Sequence, residues 1–197
     1  TGCVPPAEVC NGADDDCNGA TDDVGGGFAC GDDCCAGAES RCDCPADCGV
    51  PVLPAPGPLS PSNGRLTGSL HAPASSQALR PLFRWSLSGP GPCGPPLREI
   101  QVDDSCTTPG FASCTVPSPE ASAADLTADE WRPASDLPVA EAAPVGRRYY
   151  WRARACDAGG RCSPWSPVRY VDVGRLPCDL NGDGYSDLAV GAPDQSF

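Results

Sequence analysis

The sequence predicts a mainly β protein in which a disulfide-rich, irregular N-terminal region precedes a two-sheet sandwich. Nine of the 15 cysteines lie in residues 1–49, whereas short runs of alternating apolar and polar residues fill residues 60–176. Alternation with a period of two is the pattern of a half-buried strand. Its recurrence between turn signals over roughly 100 residues is typical of a sandwich.

The first 49 residues, which we call the head, cannot fold around an apolar core. They carry eleven acidic residues against the single base Arg41, and Phe28 is their only aromatic residue. Such a segment needs disulfides, metal ions or both to hold a structure. The cysteine density favours an oxidising compartment, secreted or at the cell surface. A cytosolic zinc protein is the competing interpretation, although the spacings lack a clean pair of CxxC motifs.

The Pro-rich residues 51–60 predict a semi-stiff linker, and the sandwich is expected over residues 61–177. Its strands are expected at 83–87, 97–102, 147–155 and 168–173. Residues 124–131 predict a strand or its approach, with a helical turn as the alternative. We expect Trp85 and Ile100 to share a core with one face of the third strand. That face carries Tyr149, Trp151, Ala153 and Ala155, and the opposite face carries Tyr150, Arg152 and Arg154.

The sandwich region contains the segments SPSNG, FRWS, REIQVDDS and APVGRRYYWRARACDAGGRCSPWS. Together they resemble a bacterial fibronectin type III domain. The resemblance implies that Trp85 is the core tryptophan of an early strand. It also implies that Leu137 and Tyr149 form a tyrosine corner.

The segment SPWS at 163–166 resembles half of the WSxWS element of cytokine-receptor sandwiches. This resemblance implies that Trp165 lies across Arg152 and Arg154 as a cation–π ladder. The alternative is that Trp165 simply covers the end of the sandwich.

Two motifs occupy the head. Residues 5–23, PPAEVCNGADDDCNGATDD, resemble a metal-binding repeat related to the copper protein MopE and frequent in secreted myxobacterial proteins; we bound this motif at 1–24. Residues 30–49, within a cysteine-rich module at 25–50, resemble the CGDGxC…CPxDC repeats of similar proteins. Copper activity does not carry over, because Met is absent and His71 lies far from the motif.

Residues 178–193, CDLNGDGYSDLAVGAP, resemble an FG-GAP repeat of integrin alpha-type β-propellers. The resemblance implies that residues 178–197 form the first hairpin of a truncated β-propeller, since a propeller needs several four-stranded blades. Because the chain also begins at Thr1, we expect a processed chain or a fragment.

Two loops repeat one pattern of calcium ligands, with candidate ligands at relative positions 1, 3, 5, 7 and 9 and Gly at 6. Position 7 offers its backbone carbonyl. Position 12, where an EF-hand has Glu, is Gly25 or Val190, so neither loop is an EF-hand. A merely solvated acidic turn is the alternative for the head loop. The predicted Ca²⁺ ligands are Asp14, Asp16, Asn18, Ala20 and Asp22 in the head, and Asp179, Asn181, Asp183, Tyr185 and Asp187 near the C terminus.

Fifteen cysteines cannot all pair within one chain. We expect Cys93, in a loop at the end of the sandwich that faces the head, to pair with a head cysteine. Cys178 is then the odd thiol, and the alternative exchanges the roles of Cys93 and Cys178. Three further pairs are expected to close short loops: Cys10–Cys17, Cys106–Cys114 and Cys156–Cys162.

The sequence offers no active site, so we expect no enzyme. His71 is the only imidazole, and the acidic residues cluster in polar loops without apolar surroundings to raise a pKa. A formal charge of −13 argues against nucleic-acid binding, and no apolar run is long enough to span a membrane.

We expect a calcium-binding structural or adhesion region of a secreted or cell-surface bacterial protein, with a protein or carbohydrate ligand. The alternative is a non-catalytic accessory region of a secreted hydrolase whose catalytic domain follows residue 197.

Overall fold

The described part of the chain contains eight β-strands, one four-residue α-helix and one 3₁₀ turn. The computed structural model describes residues 19, 30, 35, 39–68, 77–89, 91–106, 110–175, 179, 185 and 187–188. In chain order the elements are α1 (Pro45–Cys48), β1 (Gly57–Ser60), β2 (Arg65–Leu66), β3 (Phe83–Ser86), β4 (Leu97–Asp103), the 3₁₀ turn (Phe111–Ser113), β5 (Ala121–Leu126), β6 (Glu130–Trp131), β7 (Arg147–Cys156) and β8 (Arg169–Val173).

The strands form two sheets, which confirms the mainly β prediction. One sheet has the order β1-β3-β6, and the other has the order β2-β8-β7-β4-β5. Every pairing is antiparallel except the short parallel contact of β2 with β8. β5 and β6 fall within or beside residues 124–131, where the sequence favoured a strand over a helical turn.

The core lies between the sheets and contains the residues that the sequence grouped together. Phe83 and Trp85 come from β3, while Ile100 comes from β4 and Tyr149 and Trp151 from β7. All five are at most 1% exposed. The rings of Phe83 and Trp151 meet edge to face, with centroids 5.2 Å apart. Because aromatic residues bury so much surface, this cluster is the main source of stability in the sandwich.

β7 alternates as its sequence predicts, with four buried side chains facing the core and half-buried side chains on the other face. At the start of the strand the Tyr149 hydroxyl donates a hydrogen bond to the Pro138 carbonyl. Leu137, the neighbouring residue, is 3% exposed in the same core. Burial raises the pKa of Tyr149. The contact has the form of the tyrosine corner that the resemblance implied.

The segment interpreted as a linker differs from that interpretation, because its second half is part of the sandwich. Gly57–Ser60 form β1, an edge strand that pairs with β3. Proline is tolerated there because an edge strand has one side without ladder partners. Before β1, the side chains of Pro51, Leu53 and Pro56 are buried. The cysteine-rich module therefore connects to the sandwich through a segment in which buried and exposed side chains alternate.

Four disulfides join cysteines among the described residues. Two lie within the cysteine-rich module, Cys30–Cys44 and Cys35–Cys48, and one, Cys42–Cys93, leaves it for the sandwich. Cys93 thus pairs with a head cysteine, as expected. The fourth is Cys156–Cys162, which closes the loop after β7 as its spacing predicts. Cys10, Cys17 and Cys178 lie outside the described residues.

The expected Cys106–Cys114 disulfide is absent, which corrects the sequence-based prediction. That prediction assumed that the loop between the two cysteines has little to pack against. Instead, Phe111 packs edge to face on Tyr170, with ring centroids 4.9 Å apart. The Asp103 carboxylate also accepts hydrogen bonds from both flanks of the loop. The loop is therefore closed without a covalent link.

Candidate functional site

A joint of one disulfide and one arginine attaches the cysteine-rich module to the sandwich. Cys93 lies between β3 and β4 and is bonded to Cys42, which precedes α1. The Arg161 guanidinium lies beside this bond, with Nη2 3.5 Å from Cys93 Sγ. Its Nη1 donates to the Arg41 carbonyl at 3.4 Å. The loop after β7 thus contacts the module directly.

Asp157 holds that arginine in place. Its side chain is buried and accepts hydrogen bonds from the Gly159 amide at 2.9 Å, from the Arg161 amide at 2.9 Å and from Arg161 Nε at 2.8 Å. Burial acts to raise the pKa of Asp157, but the hydrogen bonds and the adjacent guanidinium outweigh it and hold the pKa below its ordinary value. The carboxylate is therefore charged at neutral pH and orients Arg161 toward the module.

The outward face of β7 carries the predicted ladder. The Trp165 ring lies 4.3 Å from the Arg152 guanidinium carbon and 4.5 Å from that of Arg154. Each arginine also has a partner on β4: Arg154 contacts the Glu99 carboxylate at 2.6 Å, and Arg152 donates to Gln101 Oε1 at 2.8 Å. Burial lowers the pKa of Arg152. Both arginines of the ladder therefore have polar partners on β4 as well as the Trp165 ring.

Two serines of the SPWS segment fix Trp165 over these arginines. Ser163 and Ser166 are buried, and their amides donate to the carbonyls of Ala155 and Ala153, each at 2.8 Å. Their hydroxyls accept hydrogen bonds from the amides of the same two residues at 3.1 and 3.0 Å. These hydrogen bonds hold the segment along β7 at both serines. The tryptophan between them faces outward, over the arginines.

A second cation–π contact lies on the same sheet. The Arg148 guanidinium carbon is 4.3 Å from the Tyr170 ring centre. Its Nε and Nη2 donate to the two oxygens of the buried Asp172 at 2.9 and 3.0 Å. This bidentate contact raises the pKa of Arg148. The sequence does not reveal this contact, because no local pattern identifies a partner 24 residues away.

The buried Arg175 connects the sandwich to the C-terminal motif. Its Nε lies 3.7 Å from Asp172 Oδ1, and its Nη1 lies 3.8 Å from Asp179 Oδ2. Asp179 is the first predicted ligand of the C-terminal calcium loop and is 1% exposed. Of the later ligands, Tyr185 is exposed and Asp187 is half-buried. The structure therefore joins the end of β8 to the beginning of that loop.

Most predicted calcium ligands lie outside the described residues, so their arrangement is left as a prediction. The donor set suits a hard cation, because it consists of carboxylate, amide and carbonyl oxygens. Asp179 is buried as a ligand would be, but the facing guanidinium partly offsets its charge. The ligands outside the described residues are Asp14, Asp16, Asn18, Ala20, Asp22, Asn181 and Asp183.

Elsewhere in the described chain, carboxylates of Asp103, Asp104 and Glu120 lie within 4.8 Å of one another. Asp103 is occupied by hydrogen bonds from loop residues, and Asp104 pairs with Arg147. Burial raises the pKa of Glu120. Because protein donors already satisfy the two aspartates, we assign no metal site here. The two further groups with ligand-type side chains both include cysteines that are in disulfides.

Comparisons with known proteins agree with the C-terminal motif. Residues 176–196 match the family model described as FG-GAP repeat. No curated protein matches the chain. In the described residues, no helix is long and apolar enough to cross a membrane.

Two solved structures are similar to part of this chain. The fibronectin type-III domain of human fibronectin type III domain containing protein 3 is 15% identical, with a TM-score of 0.37, and the match covers 66% of this chain and 89% of that one. The Streptomyces avermitilis alpha-L-rhamnosidase complexed with L-rhamnose is 17% identical, also with a TM-score of 0.37, and the match covers 64% of this chain and 11% of the enzyme.

Proposed function

We propose that this chain is a disulfide-stabilised, calcium-stiffened structural and adhesion region of a secreted or cell-surface protein. The FG-GAP match and the disulfide-rich, mainly β architecture support an extracellular adhesion-type role. We propose a protein or carbohydrate ligand at a cell surface and no catalytic role. The observation that carries the proposal is that the sandwich has specific contacts with the segments on both sides of it, the cysteine-rich module before it and the FG-GAP segment after it.

On the N-terminal side the fastening is covalent. Cys42–Cys93 joins the module to the loop between β3 and β4, and Arg161 contacts both Cys93 and the Arg41 carbonyl of the module. The connecting segment packs as well, since Leu53 is only 4% exposed. A module fixed by a bond, a guanidinium and a packed connector cannot swing freely. This suits a rigid spacer that holds a binding domain away from its attachment point.

On the C-terminal side the fastening is electrostatic. Arg175 lies between Asp172 on β8 and Asp179 in the FG-GAP segment. Buried charges stabilise only when they are paired, so this contact favours one arrangement of the two parts. Calcium in the loop that follows Asp179 would stiffen the junction further. Its affinity should be on the order of 10⁻⁴–10⁻³ M, the range of extracellular modules.

Calorimetry on the full chain tests the calcium part of the proposal. We expect saturable binding at millimolar calcium, with Asp16→Ala removing the head site and Asp183→Ala removing the C-terminal site. Asp136→Ala is the matched control, because this exposed carboxylate lies outside both loops and pairs with Arg80. Absence of binding at millimolar calcium, or binding unchanged in both loop variants, contradicts the assignment.

Limited proteolysis tests the spacer. We expect the native chain to resist cleavage in residues 51–56, between α1 and β1, because Pro51, Leu53 and Pro56 are buried and hold the backbone in place. The double variant Cys42→Ser/Cys93→Ser should be cleaved there, since exposed connectors are preferred sites of proteolysis. Early cleavage of the native chain in this segment would show that the module is loosely tethered and would overturn the spacer role.

A further inference from the structure

The loop between β4 and β5 holds two thiols side by side. Cys106 follows β4 and is half-buried, whereas Cys114 follows the 3₁₀ turn and is 5% exposed. The Cys114 thiol donates to the carbonyl of Ser105, the residue directly before Cys106, at 3.5 Å. The other eight cysteines that the structure describes are all in disulfides. This pair is therefore chemically distinct within the described chain.

A buried carboxylate keeps the two thiols together without a covalent bond. Asp103 is fully buried, and its Oδ1 accepts hydrogen bonds from the Ser105 amide at 2.7 Å and from the Ser105 hydroxyl at 2.6 Å. Its Oδ2 accepts one from the Ser118 amide at 2.7 Å. Ser105 and Ser118 flank the segment that contains both cysteines. The loop ends are thus fixed whether or not a disulfide forms.

Hydrogen bonds at Cys114 favour the reduced state. Its thiol donates to the Ser105 carbonyl at 3.5 Å, so the proton on its sulfur has a partner in the fold. Val116 is buried with φ at 51°, a conformation that a β-branched residue rarely adopts. Oxidation removes the thiol donor, and stabilising the reduced form makes a disulfide more oxidising.

The two cysteines differ in reactivity. Burial, followed by the hydrogen bond with Cys106, raises the pKa of the Cys114 thiol above its ordinary value. Cys114 is therefore protonated and shielded from external reagents. Cys106 is the more accessible of the two. An accessible thiol beside a shielded one is the arrangement of an attacking and a resolving cysteine.

We propose that Cys106 and Cys114 form a reversible redox site that exchanges with low-molecular-weight disulfides. The Cys106 thiolate attacks one sulfur of the small disulfide, which forms a mixed disulfide and releases one thiolate. Cys114 then loses its proton, attacks Cys106 Sγ and releases the second thiolate. In total the two protein thiols lose two electrons and two protons, and the small disulfide becomes two thiols. The reverse reaction with excess small thiol restores the dithiol.

A redox titration of the native full chain tests this proposal. The chain is equilibrated in buffers of graded reduced-to-oxidised glutathione ratio, quenched by alkylation, and mapped by mass spectrometry. We expect Cys106 and Cys114 to titrate together in one two-electron step, at ratios where Cys42–Cys93 and Cys156–Cys162 remain oxidised. A pair that never oxidises, or that is reduced no more readily than those two disulfides, overturns the proposal.

Single variants test the order of attack. Cys114→Ser should stop at a glutathione adduct on Cys106, because the resolving thiol is missing. Cys106→Ser should leave Cys114 unmodified in the folded chain, because that sulfur is buried. Rapid glutathionylation of Cys114 in the second variant would contradict the assigned roles. The titration of the native chain is independent of whether either variant folds.

Discussion

The cysteine-rich module and the sandwich hold their structure by different means. Among residues 39–50 only Cys44 is buried, and the four-residue α1 buries nothing. Every cysteine in that stretch is in a disulfide. In the described part of the sandwich, by contrast, ten buried side chains form one cluster, and the one disulfide inside it closes a loop after β7. Cross-links thus replace apolar burial where the sequence is too acidic and too poor in aromatic residues to build a core.

The largest expected effect is a loss of stability in the sandwich alone, caused by a substitution in its core. Trp85→Ala should destabilise the sandwich by about 3–5 kcal/mol, because it removes a buried aromatic side chain and leaves a cavity. The disulfides of the module should survive. Chemical denaturation followed by tryptophan fluorescence measures the free energy of unfolding. Trp85→Phe serves as the milder control, and equal, small losses from Trp85→Ala and from Arg154→Ala would contradict the position of β3 and β7.

The second test cuts the bond that couples the regions. Removing Cys42–Cys93 with the double variant Cys42→Ser/Cys93→Ser opens a separation of 51 residues. The chain-entropy model assigns a loop of this size about 4 kcal/mol. Because that loop includes β1 and β3, the loss should appear in the unfolding of the sandwich as well as in the module. A variant with unchanged sandwich stability would show that the two regions fold independently.

The sequence was informative about the sandwich and less so about what connects it to the module. Alternation identified β7, because side chains such as Tyr149 and Arg152 face opposite sides by local geometry alone. The sequence predicted that Cys93 pairs with a head cysteine, but it did not identify Cys42, since the head contains nine cysteines. The role of Asp157, which positions an arginine for a contact with residue 41, had no local signal. Such contacts depend on tertiary distance, which composition and spacing do not encode.

The third prediction concerns Asp157, the sandwich residue that holds Arg161 beside the Cys42–Cys93 disulfide. Asp157→Ala should destabilise the fold by about 1.5–3 kcal/mol, because hydrogen bonds to a charged group are lost. The pKa of this carboxyl is lower in the folded state than its ordinary value. Its contribution is therefore present above the unfolded-state pKa and is lost as pH falls through the folded-state pKa. Denaturation across acidic pH should show a smaller decline in the variant than in the native chain.

The smallest expected effect is at the outward face of β7. Trp165→Ala should cost about 0.5–1 kcal/mol for each arginine it covers. Arg84→Ala is the matched control, because its pair with Glu130 is exposed and should contribute about 0.2–1 kcal/mol. Thermal unfolding of both variants gives the comparison. A loss at Trp165 as large as that at Trp85 would mean that the ladder belongs to the core.

Disulfide mapping under non-reducing conditions tests the central claim, that the module is covalently fastened to the sandwich. Cleavage after arginine places Cys93 in residues 85–98 and Cys178 in residues 176–197, so the competing links give different peptides. The structure predicts that the 85–98 peptide is cross-linked to Cys42. If Cys93 in the 85–98 peptide were instead bonded to Cys178 or were a thiol, the covalent attachment of the module to the sandwich would be contradicted. The proposed role as a rigid spacer would be contradicted with it.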